Sequence, residues 1–236
     1  MNQLPLALRL RERAVFDNFV AGPNSAALEQ LLAVGRGTCS GVFWLAGPAG
    51  AGKSHLLQAS CAAATGAGAD ASYLSLSQMR QFGAESLDGW QASRVVALDD
   101  IAVVIGDRSW EQALFRVHRE VEERHAVLLT AAVAPPLLQH FCLADLASRF
   151  AAANLLTLRP LDESSQREAL RLRALARGLE LPEEAALYLQ RRFPRDLSTL
   201  YVLLDAIDEA AFRAQRRLTI PFIREVLSPY LPDEPA

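Results

Sequence analysis

Cysteine, lysine and long apolar runs are scarce in this chain of 236 residues. The three cysteines form neither a C-x-x-C pair nor a cluster with histidine, which disfavours a disulfide framework and a zinc site; they are Cys39, Cys61 and Cys142. The longest apolar run, residues 126–138, contains two prolines and is too short to span a membrane. The first residues lack the apolar core of a signal peptide. We therefore expect a soluble, cytoplasmic protein.

An excess of positive charge is also missing. The chain has 24 basic and 27 acidic side chains, a net charge of −3, and the balance is nearly the same on both sides of residue 158. Proteins that bind duplex DNA through its phosphates need clustered lysine and arginine. The composition therefore disfavours a stand-alone DNA-binding module. With 51% apolar residues, a chain of this length can form a substantial globular core.

Lysine occurs once, so the other 23 of the 24 basic residues are arginine. The single lysine, Lys53, lies in Gly47-Pro48-Ala49-Gly50-Ala51-Gly52-Lys53-Ser54, which matches the pattern G-x-x-x-x-G-K-[ST] at every fixed position. An apolar run at 41–46 precedes this segment, and a run rich in leucine and alanine at 54–64 follows it. This order predicts a strand, a glycine-rich loop and a helix.

The predicted loop has the chemistry of a phosphate site. Backbone N–H groups and a helix N-terminus together attract an anion, and a lysine ammonium binds the β- and γ-phosphates as a point charge. A serine hydroxyl at this position is a ligand for Mg²⁺. We therefore predict that Gly47 to His55 bind ATP or ADP, with Lys53 on the phosphates and Ser54 on Mg²⁺. The alternative is a turn rich in glycine and alanine that has no chemical function.

An acidic pair follows some 45 residues after this loop. The apolar run 94–98 ends in Asp99 and Asp100. A carboxylate that closes a strand beside a phosphate loop can hold Mg²⁺ and polarise water. We predict that Asp99 contacts Mg²⁺ and that Asp100 is a catalytic residue nearer the γ-phosphate. The alternative is that both acids only end the strand and cap the next helix.

Five short apolar runs alternate with helical segments, which predicts a parallel, doubly wound α/β sheet. The predicted strands cover residues 41–46, 72–76, 94–100, 126–131 and 154–158. Beyond Pro160 the pattern is helical, with an N-cap at Asp162 and helices over 166–177, 182–192, 196–213 and 221–227. We therefore predict a tail at residues 1–12, an α/β core at 13–160 and a small all-helical lid subdomain at 161–236.

Together these motifs resemble the AAA+ ATPases, and within them the replication initiator DnaA and its shorter relatives, over residues 14–228. Leu98-Asp99-Asp100-Ile101 is similar to the initiator's Walker B motif, and residues 145–150 are similar to the stretch that carries its arginine finger. The resemblance implies a P-loop core with a five-stranded parallel sheet and a lid. It also implies that Phe19 and Val20 lie along the adenine, that Arg195 contacts the chain's own phosphates, and that Arg149 is a finger acting in trans.

Two features depart from the initiator's pattern. The sequence ends at Ala236, soon after the lid, so we expect neither a helix-turn-helix domain nor sequence-specific DNA binding. Residues 130–134 lack the acidic and basic side chains that the family has before its Pro-Pro pair. Thr130 is left as the candidate contact for a γ-phosphate, and we expect inefficient self-catalysed hydrolysis.

The N-terminal segment Gln3-Leu4-Pro5-Leu6-Ala7-Leu8 is similar to the peptide by which bacterial proteins dock on the replicative sliding clamp. Alternate side chains of an extended segment share one face. Leu4, Leu6 and Leu8 would therefore fill an apolar groove, while Gln3 makes polar contacts at its edge. The alternative is a frayed terminus with incidental leucines.

This tail on a short DnaA-like core resembles regulators that inactivate the initiator. It implies a protein tethered to the clamp (the polymerase β subunit) whose Arg149 stimulates hydrolysis of the ATP on DnaA, with nucleotide-dependent self-assembly. A competing hypothesis is an autonomous AAA+ ATPase such as a helicase loader, which would need a single-strand-binding extension and a basic channel. The sequence offers neither. A DNA-binding fragment of an initiator is opposed by the balanced charge.

Two further groups of polar residues match no motif of their own. The four histidines, among them His118, have no metal-ligand spacing, and we expect them to be solvated or partly packed. The acidic run 120–123 ends a predicted helix, and we expect it to form a solvated face.

Overall fold

The computed structural model describes residues 14–230, apart from Arg195, Arg217 and the side chain of Gln91. Five strands form a parallel sheet in the order β2-β3-β4-β1-β5. They are β1 (Gly41–Ala46), β2 (Ala71–Ser75), β3 (Val95–Asp99), β4 (Val127–Ala132) and β5 (Asn154–Thr157). The predicted five-stranded parallel sheet is confirmed, and no strand end is shifted by more than one residue.

Helices α1 to α5 accompany the sheet: Ser25–Gly35, Lys53–Gly66, Leu76–Met79, Arg108–Glu123 and Ala144–Ala151. Helices α6 to α9 follow it: Glu163–Ala176, Glu183–Arg192, Leu197–Ala214 and Ile220–Leu227. The sequence patterns did not predict α1 or α5, because α5 has only eight residues and α1 is a weakly amphipathic segment. Within the described residues, no helix is both long and apolar enough to cross a bilayer.

The central strands β1, β3 and β4 are buried on both faces because alternate side chains of a strand enter different cores. On β1, Trp44 packs into one cluster beneath α4 and α5, whereas Phe43 and Leu45 pack into the other beneath α1 and α2. Trp44 is fully buried, and its indole Nε1 donates a hydrogen bond to the Ala134 carbonyl at 3.1 Å. The two clusters fix the sheet between its helical layers, so that the carboxyl ends of the strands share one edge.

Helices α6 to α9 enclose a third hydrophobic cluster of their own, which confirms the predicted all-helical region. Asp162 caps α6 as predicted, since its carboxylate accepts the Ser165 N–H at 2.7 Å. Asp196 caps α8 in the same way through the Thr199 N–H at 2.8 Å. Each helix start is therefore fixed by a side chain that replaces a missing backbone partner.

Asn24 forms hydrogen bonds with the segment that connects β5 to α6. Its side-chain amide donates to the Arg159 carbonyl at 3.0 Å and accepts the Arg159 N–H at 2.8 Å. Asn24 is buried, so this paired bond satisfies the backbone of Arg159 directly before Pro160. The start of the helical region is thus held against the residues that precede α1.

A buried carboxylate joins α4 to the loop before α5. Glu111 accepts backbone N–H groups from Gly106 at 2.7 Å, from Cys142 at 3.0 Å and from Leu143 at 2.7 Å. Burial alone would raise the pKa of Glu111, but the N–H donors of Cys142 and Gly106 outweigh it and the net pKa is lowered. The carboxylate therefore stays charged and fixes the start of α5 relative to α4.

Candidate functional site

The loop between β1 and α2 can be built only with glycine at two of its positions. Gly52 has φ +91°, and a Cβ there would lie 2.7 Å from the Phe19 ring. A Cβ on Gly47 would lie 2.7 Å from the Leu158 carbonyl oxygen, just beyond the neighbouring strand. The loop consequently curls tightly and ends at Lys53, the first residue of α2, so the N-terminus of a 14-residue helix faces the loop.

Lys53 lies folded over this loop. Its Nζ donates to the carbonyls of Gly47 at 2.7 Å and Pro48 at 2.8 Å. Partial burial lowers the pKa of Lys53, while the charges of Asp99 and Asp100 oppose that shift. The ammonium therefore lies on the loop carbonyls, within electrostatic reach of both carboxylates.

The two carboxylates after β3 occupy different environments. Asp99 is buried and accepts hydrogen bonds from the Tyr73 hydroxyl at 2.7 Å and from the Asp100 N–H at 3.0 Å. Burial, and next the bond to Asp99, raise the pKa of Tyr73, so that it remains a donor. Asp100 has φ 56°, faces the cleft and accepts the Ser77 hydroxyl at 2.9 Å. The sequence did not single out Tyr73, which fixes Asp99 from the neighbouring strand.

A cleft of about 640 Å³ opens over these residues. The core contributes Ala49, Gly50, Gly52, Lys53, Ser54, His55 and Asp100, and the helical region contributes Arg173, Ser198 and Tyr201. The Arg173 guanidinium lies 4.2 Å from the centre of the Tyr201 ring and 3.3 Å from Asp205. The sequence missed Arg173 and Tyr201, because neither stands in a motif and only the fold brings α6 and α8 to the loop.

A smaller apolar pocket of about 60 Å³ adjoins the cleft. The residues predicted along the adenine, Phe19 and Val20, line it together with Ala51, Leu161 and Leu197. His55 borders both pockets; its ring centre is 5.5 Å from that of Phe19, and its Nε2 is 2.9 Å from the Val15 carbonyl oxygen. Residues 49–55, Phe19 and Val20 thus line two adjoining pockets.

The oxygen atoms around the cleft fit Mg²⁺ better than a metal that needs a protein cage. Ser54 and Asp100 line the cleft, with Asp99 beneath, and these are hard ligands. In residues 14–230 as described, no group of three or more His, Cys, Asp or Glu side chains could hold a metal by itself. Mg²⁺ commonly takes one or two protein oxygens and completes its shell with water and substrate phosphates, and this donor set fits that mode.

The interpretation of Thr130 as a γ-phosphate contact is wrong. Its hydroxyl donates to the Phe43 carbonyl at 3.1 Å, and the residue has no solvent exposure. Thr130 lies two residues before the end of β4, inside the sheet and not at its edge. The apolar residues Ala132 and Val133 line the cleft in its place.

Arg149 lies on α5 and packs on α4. Its Nη1 forms a salt bridge with Glu122, and its guanidinium carbon is 5.1 Å from the centre of the Phe115 ring. The side chain is 36% exposed. Among the described residues that line the cleft, Arg149 does not occur. The acidic run 120–123 is therefore not simply a solvated face, since Glu122 holds this arginine.

His118 lies behind Glu122 and is 1% exposed, so the expectation of a solvated or partly packed ring is wrong for this histidine. Its Nδ1 is 3.3 Å from a Glu122 oxygen, and its ring meets Phe150 edge-on with centres 5.4 Å apart. Burial lowers the pKa of His118 from its ordinary value of 6.5; Glu122 opposes the shift and Arg149 adds to it. The ring is therefore neutral at pH 7.

This shift has a consequence for stability. Just below pH 6.5 the unfolded chain binds a proton at His118 that the folded chain does not, so the free energy of unfolding decreases as the pH falls. The slope is at most about 1.4 kcal/mol per pH unit for one proton. We expect His118→Asn to remove this component and His125→Asn, at an exposed histidine, to keep it. Urea unfolding between pH 7 and 5.5 would measure it; equal slopes in both variants would contradict the assignment.

Some predicted residues lie outside the described part of the chain. The predicted clamp-binding residues Gln3, Leu4, Leu6 and Leu8 precede residue 14, and Arg195 also lies outside the described residues. Their roles therefore remain predictions.

Solved structures share this fold. Domain III of the Thermotoga maritima initiator DnaA aligns with a TM-score of 0.80 at 21% identity, covering 96% of this chain and 99% of that one. AMPPCP-bound DnaA from Aquifex aeolicus aligns with a TM-score of 0.70 at 21% identity, over 87% and 68% of the two chains. The Thermotoga maritima Holliday junction branch migration motor RuvB aligns at 0.58 and 19% identity, over 89% and 67%. The chain therefore has the fold of DnaA domain III.

The helical region matches a more narrowly defined family than the fold as a whole does. Residues 162–227 match the family model for the Hda lid domain. The chain therefore combines a fold like that of DnaA domain III with a helical region similar to the Hda lid domain.

Proposed function

We propose that this protein is a negative regulator of chromosomal replication initiation that stimulates hydrolysis of the ATP bound to DnaA, converting ATP-DnaA to ADP-DnaA. The observation that carries the proposal is the position of Arg149, a half-buried guanidinium outside the chain's own cleft. The Arg149 guanidinium does not reach a nucleotide bound in this cleft. Its exposed part can instead contact a nucleotide bound to a second molecule. The match to the Hda lid family and the DnaA-like core support DnaA as that molecule.

In this proposal Arg149 stabilises negative charge that develops on the phosphate oxygens during hydrolysis. When the γ-phosphoryl group of a bound ATP is transferred to water, negative charge spreads over its oxygens and the leaving oxygen. A guanidinium supplied by a second protein stabilises that charge and in finger-dependent systems is worth ~10³–10⁵ in rate. In this proposal the initiator supplies the site for ATP, and Arg149 completes it.

The chain's own cleft is proposed to bind ATP or ADP with Mg²⁺. Gly47 to His55 would cradle the phosphates, Phe19 and Val20 would contact the adenine, and Arg195 would contact the phosphates from the lid. Ser54 and Asp99 would hold Mg²⁺, with Asp100 nearest the γ-phosphate. The Aquifex aeolicus relative was solved with AMPPCP, which supports an adenine nucleotide. Because core and lid both line the cleft, the bound nucleotide would set their relative position and thereby self-assembly.

The division of labour along the chain is proposed as follows. Residues 1–12 dock on the sliding clamp through Gln3, Leu4, Leu6 and Leu8. Residues 13–160 form the nucleotide-binding core and 161–236 the lid. Tethering raises the local concentration of the core near DNA-bound initiator, so that a weak contact between the two AAA+ proteins suffices.

The experiment follows hydrolysis of ATP pre-bound to DnaA, with DNA-loaded clamp, in the presence and absence of this protein. We expect acceleration only when clamp and protein are both present. The variant Gln3→Ala with Leu4→Ala should lose the acceleration, while Asn2→Ala, beside the motif, should keep it. If hydrolysis on DnaA is unchanged and this protein alone turns over ATP, the regulator is excluded and an autonomous ATPase such as a helicase loader is favoured.

A further inference from the structure

We propose that Glu122 is a positioning residue for Arg149: it holds the guanidinium in one orientation on α4, so that the remaining donors of Arg149 face a second molecule. This inference rests on the proposed function of Arg149 and names the group that prepares it. The sequence offered no hint of the role, because residues 122 and 149 are 27 positions apart and meet only through the packing of α5 on α4.

The guanidinium is fixed on two sides. Phe115 and Glu122 lie seven residues apart on α4, which puts them on one face of the helix. The guanidinium carbon lies over the Phe115 ring, and the Glu122 carboxylate accepts a hydrogen bond from Nη1. Among the described residues, no hydrogen bond uses Nε or Nη2 of Arg149, so these donors are available for phosphate oxygens.

Glu122 also lies against a buried group. The buried His118 ring lies one helical turn before it, with Nδ1 3.3 Å from a carboxylate oxygen. Phe150, next to Arg149 in the chain, packs edge-on against the His118 ring. The carboxylate therefore stands between a rigid buried group and the guanidinium, although Glu122 is 46% exposed. A lone surface ion pair would leave Arg149 to change rotamer freely, whereas this arrangement restricts it.

The contact between Glu122 and Arg149 can contribute to catalysis by orienting the guanidinium. A displacement of about 1 Å in a group that contacts the reacting atoms can cost ~10²-fold in rate. Affinity between the two proteins depends instead on the whole interface. Removal of Glu122 should therefore lower the maximal stimulated rate and leave the half-saturating concentration of this protein unchanged.

The experiment measures hydrolysis of ATP on DnaA, with DNA-loaded clamp, against increasing concentrations of the full chain. We expect Glu122→Ala to lower the maximal rate by about 10- to 100-fold at an unchanged half-saturating concentration. Glu122→Gln should recover part of the rate, because its amide oxygen still accepts from the guanidinium. Glu123→Ala is the matched control: this neighbour is 65% exposed, pairs with Arg119 and should retain the full rate.

The outcomes separate this inference from the proposed function. If Arg149→Ala abolishes stimulation while Glu122→Ala keeps or exceeds the full maximal rate, Glu122 does not position the finger and the inference is wrong, but the function stands. A raised half-saturating concentration with an unchanged maximum would also overturn it, by making Glu122 an interface contact. If Arg149→Ala stimulates fully, the proposed function and the inference both fail. Thermal unfolding of each variant checks that the fold is intact.

Discussion

Arg149→Ala is expected to reduce the stimulated hydrolysis of ATP on DnaA by about 10³-fold or more, at any concentration of this protein. The alanine cannot place a positive charge on the phosphoryl oxygens, and α5 carries no second arginine among its eight residues. The loss should appear in the maximal rate, because the finger acts on the transition state and not on the ground-state encounter. Single-turnover hydrolysis on pre-loaded DnaA measures that rate directly.

The matched control is Arg119→Ala. Arg119 lies on α4, pairs with a glutamate as Arg149 does, and is 54% exposed. Removing it deletes the same charge from the same helical layer, so it should leave stimulation within a small factor of the unchanged protein. Arg149→Lys tests geometry as well as charge, since an ammonium cannot reproduce the planar fork of donors. A fully active Arg149→Ala variant would contradict the assignment.

Loss of the fold is not expected to explain the result. Surface ion pairs typically stabilise proteins by about 0–1 kcal/mol, and the pair between Arg149 and Glu122 is partly exposed on both sides. The midpoint of thermal unfolding for Arg149→Ala should accordingly stay close to that of the unchanged chain. Binding to the clamp, which the proposal assigns to the N-terminal tail, should stay unchanged too.

The parts of the site that a contiguous motif encodes could be predicted from the sequence. The glycine-rich loop, Lys53 and the acidic pair each stand beside an apolar run that becomes a strand. The central strands β1, β3 and β4 also followed from the apolar runs, because these strands are buried along almost their whole length and their sequences are mostly apolar. Local pattern and tertiary structure agree at these positions, so the sequence alone sufficed.

The parts that depend on distant packing could not be predicted. Arg173 and Tyr201 reach the cleft only because α6 and α8 fold back over the loop. The contacts among His118, Glu122 and Arg149 require the docking of α5, an element too short to leave a periodic signal. Thr130 shows the opposite error. Its place just before the Pro-Pro pair predicts a contact with a γ-phosphate, but its hydroxyl donates to the Phe43 carbonyl inside the sheet.

Lys53→Ala is expected to weaken binding of ADP and ATP by about 10²-fold. A hydrogen bond to a charged group contributes about 1.5–3 kcal/mol to binding. In the structure the Lys53 ammonium donates to two loop carbonyls, and in the proposed complex it would donate to the phosphates. Titration with a fluorescent adenine nucleotide measures the dissociation constant. Thermal unfolding gives a second reading, because a ligand stabilises the folded chain in proportion to the logarithm of its concentration over that constant.

Two further variants show what the lysine itself contributes. Arg36→Ala removes one positive charge from an exposed site of the core and should leave nucleotide binding unchanged, which tests for a mere effect of net charge. Lys53→Arg keeps the charge, but the broad guanidinium does not fit over the Gly47 and Pro48 carbonyls as a compact ammonium does, so it should bind nearly as poorly as alanine. A chain that fills every other basic position with arginine would then keep lysine here because of its shape. Unimpaired binding by Lys53→Arg would reject that explanation, and unimpaired binding by Lys53→Ala would reject the phosphate site.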